Sequence, residues 1–373
     1  MFKIGYPHLG DYHIPIRRLL QDLFPTAEIV SPPPFTQKTV ELGGRHSPDF
    51  VCAPFKYNMG NYIELLEAGA NVLLQTGLGC RYGYYGEVQE QILRDLGYDF
   101  TFLCFSREKA RPQNIYETCK KLNSNLTFSM FSKAVLQAIM RIYFMDQLDY
   151  FLREQIGFAK NAKHFTNTKK LFLKELAAEN SIIGLYRIYN KYRTRYHAIE
   201  THMPQNPLRV GIVGELYTLM EPYSNHFLEK RLAKGGIIVS RKMSASFLLF
   251  GKRDRRSLHS SRGYLQYTVG ANGVDSVAGS RQYAKDGYDG LIHMKSFGCT
   301  PELNAQPALD QISRDYDIPI LHLSFDTQTG EAGLETRIEA FMDMIEMKRK
   351  QQHEKYSQSR RGHRLHLHKR RVH

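Results

Sequence analysis

The sequence predicts an α/β protein: two Rossmann-like parallel-sheet units with a helical segment between them. Three observations carry that expectation. Short apolar runs alternate with helix-period stretches near both ends of the chain, the middle is helix-period throughout, and "MPQNPLRVGIVGELY" restarts strand-type sequence after it. At 373 residues the chain is long enough for two or three domains, each burying its own core.

Taken in order, residues 2–6, 28–31, 50–53, 71–76 and 99–104 are apolar or β-rich runs of strand length, with helical patterns over 14–24 and 58–69 between them. Alternation of that kind predicts parallel strands with helices on the sheet faces. This gives a first α/β unit at 1–106. From 107 to 205 the texture changes, and "SKAVLQAIMRIYFMDQLDYFLREQI" and "TKKLFLKELAAENSIIGLYRIYNKYRTRYHAI" place apolar residues at helical spacing with charges opposite. The Tyr, Phe and Met stripe of this segment reads as core. A second α/β unit follows at 206–347, with strands at 208–213, 236–239, 289–294 and 318–323 and a last helix over "ETRIEAFMDMIEMKRK".

Composition bounds the function. A net charge of +14 suggests a nucleic-acid binder until it is mapped: residues 348–373 hold ten Lys or Arg against one acid, Glu354, so the tail carries +9 of it. That tail has almost no apolar content and reads as a basic, disordered, solvated segment, in which His363, His366, His368 and His373 are at most a weak metal site. No run of about 18 uncharged apolar residues predicts a spanning helix. The amino terminus has no signal-peptide pattern, which with the odd count of five cysteines makes a cytoplasmic protein the expectation.

The cysteines divide by setting. Cys52, in "DFVCAPFKYNMGNYIE", reads as the carboxyl end of a buried strand that Pro54 terminates. Cys80 stands after the strand run in "NVLLQTGLGCRYGYYG", and Cys299 after another in "DGLIHMKSFGCTPELNA". All three are expected where a strand hands over to a loop, the edge at which open α/β sheets bind ligands. Gly77, Gly79, Gly83 and Gly298 would let backbone approach a bulky inorganic group. Cys104 and Cys119 lack that setting and read as an ordinary strand residue and helix residue. Three converging thiolates suit a metal or an iron–sulfur cluster. With no compact CxxC spacing, three buried cysteines at loop starts remain the alternative.

"VCAPFKYNMGNYIELLEAGANVLLQTGLGCRYGYYGEVQEQILRDLGY", "VGIVGELYTLMEPYSNHFLEKRLAKGG", "DGLIHMKSFGCTPE" and "IPILHLSFDTQTGEAGLETRIEAFMDMI" together resemble the 2-hydroxyacyl-CoA dehydratase subunit family, including its stand-alone members related to the dehydratase activators. The resemblance runs from about residue 1 to about residue 347, with several motifs in the right order. It implies that Cys52, Cys80 and Cys299 hold a 4Fe-4S cluster between α/β domains, leaving one iron open. It also implies one-electron chemistry on a 2-hydroxyacyl-CoA thioester, through a ketyl radical anion, with the electron supplied by a separate ATP-hydrolysing activator. The chain has no GxxxxGK[ST] loop, so it would accept that electron and not hydrolyse the ATP. The implied roles are a lyase component, paired as a dimer with itself or a related subunit, or a low-potential reductase relative.

Around the cysteines, Arg81 is a candidate for stabilising a thioester oxyanion or a cluster sulfide. Glu215, in "VGELY", is the preferred functional carboxylate. Lys56, Tyr57, Tyr84 and Tyr85 are candidate donors or channel residues, while Glu87 and Gln89 are expected in the first turn of the helix after Cys80. Asn225, Glu302, His8 and His13 complete the set. Two rival readings are a binding module with a structural zinc at the same cysteines and a nucleic-acid binder using the basic tail and helical segment.

Overall fold

The computed structural model describes residues 1–77, 80–106, 111–250 and 253–369, with side chains as far as Gln351 except at 77, 106 and 253–256. Gly79 and the tail histidines His363, His366, His368 and His373 fall outside the described residues and side chains. The first unit runs β1 (Lys3–Gly5), α1 (His13–Leu23), β2 (Glu28–Val30), α2 (Gln37–Arg45), α3 (Ala53–Glu67), β3 (Val72–Gly77), a 3-10 turn at Arg81–Tyr84, α4 (Tyr85–Asp95) and β4 (Thr101–Ser106). The helical segment holds α5 (Pro112–Leu122), α6 (Phe128–Gln155), α7 (Ala162–Ala178) and α8 (Ile182–His197). The second unit runs β5 (Leu208–Gly214), α9 (Leu216–Met220), α10 (Leu228–Lys234), β6 (Ile237–Arg241), α11 (Ala245–Phe250), α12 (Arg253–Ser261), α13 (Gly273–Lys285), β7 (Gly290–Ser296), α14 (Thr300–Asp315), β8 (Ile320–Phe325) and α15 (Glu331–Lys369).

Each unit contains a four-stranded, all-parallel sheet, ordered β2-β1-β3-β4 in the first and β6-β5-β7-β8 in the second. The mixed α/β architecture with two Rossmann-like sheets is therefore as the sequence predicts. Both faces of each sheet are covered. Ile4, Tyr6 and Val72 pack against α1, α5 and α6 on one side of the first sheet, while Leu73 faces α3 and α4. In the second sheet, Val210, Ile212, Ile292 and Met294 pack on α9, α10 and α15, and Val213 and Leu291 face Tyr283 of α13. Cys119 and Phe131 share the first sheet's core, so apolar packing runs across residue 106.

One expected strand is absent. Residues 50–53 form no strand: Phe50 is exposed, and Cys52 is the cap residue that opens α3 with Pro54 in its first turn. Proline there starts a helix, because the missing N–H has no partner to lose in the first turn. At the other end of the chain the backbone is helical to Lys369, through residues whose composition reads as a disordered tail. Lys, Arg, Gln and Glu side chains favour helix while staying solvated, so a basic composition and a helical backbone are compatible. Among the described residues no helix is long and apolar enough to cross a membrane.

The two units are tied together through α6, whose Asp146 is buried and accepts from the Tyr12 hydroxyl at 2.6 Å and the Ser246 amide at 2.7 Å. Within the first unit, α2 crosses α3 at Gly43 and Gly60. A Cβ on Gly60 would stand 1.9 Å from the Thr39 carbonyl oxygen, and one on Gly43 1.8 Å from that of Lys56. Because α3 carries Cys52 at its start, this contact sets where that thiol lies. Gly60→Ala should force the helices apart and cost about 1–3 kcal/mol, as overpacking does, read as a lower urea midpoint. An unchanged midpoint would show that the crossing can relax.

Candidate metal centre

Strand order places the crevice of each sheet between the loops that leave its first-laid and third-laid strands, where the chain reverses its direction of winding. Cys80 follows β3 by three residues, and Cys299 follows β7 by the same interval. Glu215 directly follows β5, and His8 lies in the loop after β1. The topology thus sends Cys80 and His8 to one crevice and Cys299 and Glu215 to the other. Cys52 arrives by a different route, as the residue that opens α3.

Two hydrogen bonds join the cysteine loops. The Ala53 amide donates to the Ser296 hydroxyl at 2.7 Å, docking the start of α3 on the end of β7. The Arg81 guanidinium donates to the Gly298 carbonyl at 2.7 Å, linking the Cys80 loop to the Cys299 loop. Gly298 has φ of +73°, a left-handed conformation suited to glycine, which turns its chain between β7 and α14. The Cys52 thiol is 2.5 Å from the Tyr85 hydroxyl, and the Cys80 sulfur accepts from the Tyr82 amide at 3.5 Å. Phe50, Tyr84 and Phe297 stand exposed on the three loops.

Electrostatically Glu215 bears on all three thiols, Cys80 on Cys52, and Cys52 on Cys299. Burial pushes the Cys52 thiol up to about 12, with Glu215 and Cys80 adding to the rise and the Tyr85 hydrogen bond and Arg81 opposing it. Burial also raises Cys80 and Cys299, and in both the Glu215 charge adds to it. Glu215 is itself raised by burial, against bonds from the Tyr217 amide at 2.7 Å, the Thr218 amide at 2.9 Å and the Thr218 hydroxyl at 2.7 Å. Such surroundings favour neutral thiols until a cation or cationic group arrives, so binding one would release protons. The Tyr217 hydroxyl is buried with no partner among the described residues, within electrostatic range of Glu215, Tyr82 and Tyr57. Cysteines capping helix starts fit a soft, cationic metal group. Among the described residues no three His, Cys, Asp or Glu gather tightly enough to hold a single ion.

The remaining candidates separate into braces and linings. Tyr57 is buried against Phe35, Tyr217 and Tyr223 at the junction of the units. Gln89 donates to the Phe55 carbonyl at 3.1 Å, locking α4 on α3, and Glu87 lies in the first turn of α4. Asn225 bridges the Thr218 carbonyl and the Leu228 amide at 2.7 and 3.1 Å. His8 Nδ1 lies 3.0 Å from buried Glu221, and His13 stacks on His8 and meets the Gly10 carbonyl. Lys56 and Gly83 are half-buried and buried on α3 and the 3-10 turn. Cys104 and Cys119 sit in β4 and α5, the Cys104 sulfur packing against Gly86 in the first turn of α4. Sequence reasoning missed Glu221, His293 and Lys295; the signal for the last two was polar residues inside the buried strand "GLIHMKS".

A thiol at about 12 is almost wholly protonated at pH 8, whereas an ordinary cysteine near 8.5 is about one-quarter ionised. In metal-free protein, iodoacetamide should therefore label Cys52 about a thousandfold more slowly than free cysteine at pH 8, gaining roughly tenfold per pH unit. Mass-spectrometric time courses check this, and labelling at the free-cysteine rate would show that the pocket does not hold the thiol neutral.

Residues 278–345, from α13 through β7, the Cys299 loop, α14 and β8 into α15, match the family model described as 2-hydroxyglutaryl-CoA dehydratase, D-component. No curated protein matches the chain. The matched residues include Cys299, and the match supports a place for the chain in the 2-hydroxyacyl-CoA dehydratase subunit family, as a dehydratase component.

Proposed function

We propose that this chain is an iron–sulfur component of a 2-hydroxyacyl-CoA dehydratase, or of a related reductive system, and that Cys52, Cys80 and Cys299 hold a 4Fe-4S cluster. The carrying observation is that the loops and helix start bearing these cysteines, from two α/β units, are joined by the Ala53–Ser296 and Arg81–Gly298 hydrogen bonds, with Cys80 in electrostatic range of Cys52 and Cys52 of Cys299. Thiolates of a four-iron cluster bind separate irons and need a wider triangle than zinc does. When bound, the cluster supplies a low-potential electron and an open iron that acts as a Lewis acid on a substrate oxygen.

This chain's residues then have definable tasks. At the start of α14 the Glu302 amide bonds Cys299 and lowers its thiol pKa, offsetting part of the burial penalty. Tyr85 donates to the Cys52 sulfur. Glu215, held by three donors and pushed up by burial, would accept or return a proton of the substrate. Arg81 holds the Cys80 and Cys299 loops together, and its charge lowers the thiol pKa of Cys52 and Cys80. The reading carries with it an ATP-dependent activator as electron donor, an acyl-CoA substrate and pairing with itself or a related subunit.

Anaerobic iron and acid-labile sulfide analysis, with electron paramagnetic resonance after dithionite, tests the assignment. About four irons per chain are expected. Cys52→Ala, Cys80→Ala and Cys299→Ala should each lose most of the iron, and Cys104→Ala and Cys119→Ala should keep it. Equal loss in all five, or no iron after reconstitution, would sink the reading. Glu215→Gln should retain iron while turnover falls about 10²-fold or more, as for a lost acid–base group.

A further inference from the structure

Behind the Cys299 loop, four titratable side chains form an unbroken hydrogen-bonded row. The Glu302 carboxylate, 1% exposed, lies 2.9 Å from Nε2 of fully buried His293. Nδ1 of His293 lies 2.9 Å from Nδ1 of His322, its direct neighbour across the β7–β8 pairing. Nε2 of His322 lies 3.1 Å from the Asp310 carboxylate, which is 46% exposed. Glu302 and Asp310 lie on the same helix, α14, eight residues and hence about 12 Å apart. The row therefore runs from the buried first turn of α14 to solvent.

From the donor and acceptor count we infer that His293 and His322 are a proton relay between solvent at Asp310 and the buried side of the Cys299 loop. Three hydrogen bonds need three protons, and four arrangements supply them. In the first, Asp310 carries a proton to His322 Nε2, His322 Nδ1–H donates to His293 Nδ1, and His293 Nε2–H donates to Glu302. Moving one proton across the Asp310–His322 bond makes His322 the cation; across the next bond, His293; across the last, neutral Glu302 and neutral imidazoles. Every arrangement fills all three bonds, so one proton moves from surface to interior with no bond left empty and no change in total charge. Two neutral histidines between two ionised carboxylates would instead leave one acceptor facing another.

The surroundings suit transfer over storage. Burial and His293 lower the pKa of His322, against the pull of Asp310, so a proton taken at the surface is readily passed on. The other charged groups facing the pair are Lys295, on the same strand as His293, and Arg337 of α15, which donates to the His322 carbonyl at 2.6 Å. Ser276 of α13 donates to the second Glu302 oxygen at 3.1 Å and fixes the inner end. The relay is a property of the second α/β unit, independent of what the cysteine loops hold.

The test follows the ring protons of the full-length protein, labelled with 15N-histidine, by solvent hydrogen–deuterium exchange in NMR, with His293→Gln to assign the resonance. In the native chain the buried His293 ring proton should exchange far faster than the backbone amides of β7. His322→Asn, which keeps one hydrogen bond but cannot pass a proton, should slow it by at least about tenfold. Asp310→Asn should do likewise, and because Asp310 is half-exposed this variant keeps a readout if His322→Asn does not fold. Slowing in His322→Asn alone would retain the histidine relay with water in place of Asp310. Equal rates in the native chain and both variants, or native exchange as slow as the β7 amides, would overturn the relay whatever the iron content.

Discussion

The Ala53 amide bonded to the Ser296 hydroxyl is the contact on which the site depends. It joins the first residue of α3 to the last residue of β7, so the residue before one and the loop after the other are set side by side. The donor is free because an opening helix turn leaves its amides unpaired. The acceptor stands at the carboxyl edge of a buried parallel strand, in the last pair of its backbone ladder. Each partner supplies what the other lacks. Asp146 of α6 also grips Tyr12 and Ser246, giving the two units a second tie.

Burial governs the chemistry of that crevice more than any single charge. It is the largest influence on Cys52, Cys80, Cys299 and Glu215 alike, and in each it favours the neutral form. A site of neutral acids is stable when empty and changes character when a cation enters, since desolvated anions then gain a partner at low dielectric. Gly214 contributes at close range: its φ of +142° and its contact with the Met294 backbone leave no room for a Cβ, and so bring Glu215 against β7.

Periodicity made most of the fold legible. β5 to β8 and the four helices of the middle segment follow directly from apolar spacing, because each buries one face or stripe against a neighbour. The stretch around Cys52 misled for a local reason: "FVCA" is apolar enough for a strand, but Pro54 in a first helical turn marks an opening and not an ending. The three cysteines were legible as loop residues after strand-like runs, though Cys52 reaches its place from a cap. Contacts that depend on register were not legible. Nothing in one sequence says that His293 faces His322 across two strands, that Arg81 reaches Gly298, or that Gly43 meets Gly60, because strand pairing and helix crossing are set by the whole packed unit.

Cys80 and Cys299 are separated by more than two hundred positions of chain, and each belongs to a different sheet. The entropy of closing so long a loop grows only slowly with its length, by about 0.6 kcal/mol per doubling. Timing is the larger effect. During synthesis the amino-terminal sheet can form with Cys52 and Cys80 in place while the third sulfur has not yet been made. On the proposed ligation, the site would be complete only once the ribosome has made the second sheet, and a chain stopped before it would carry Cys52 and Cys80 without their third partner.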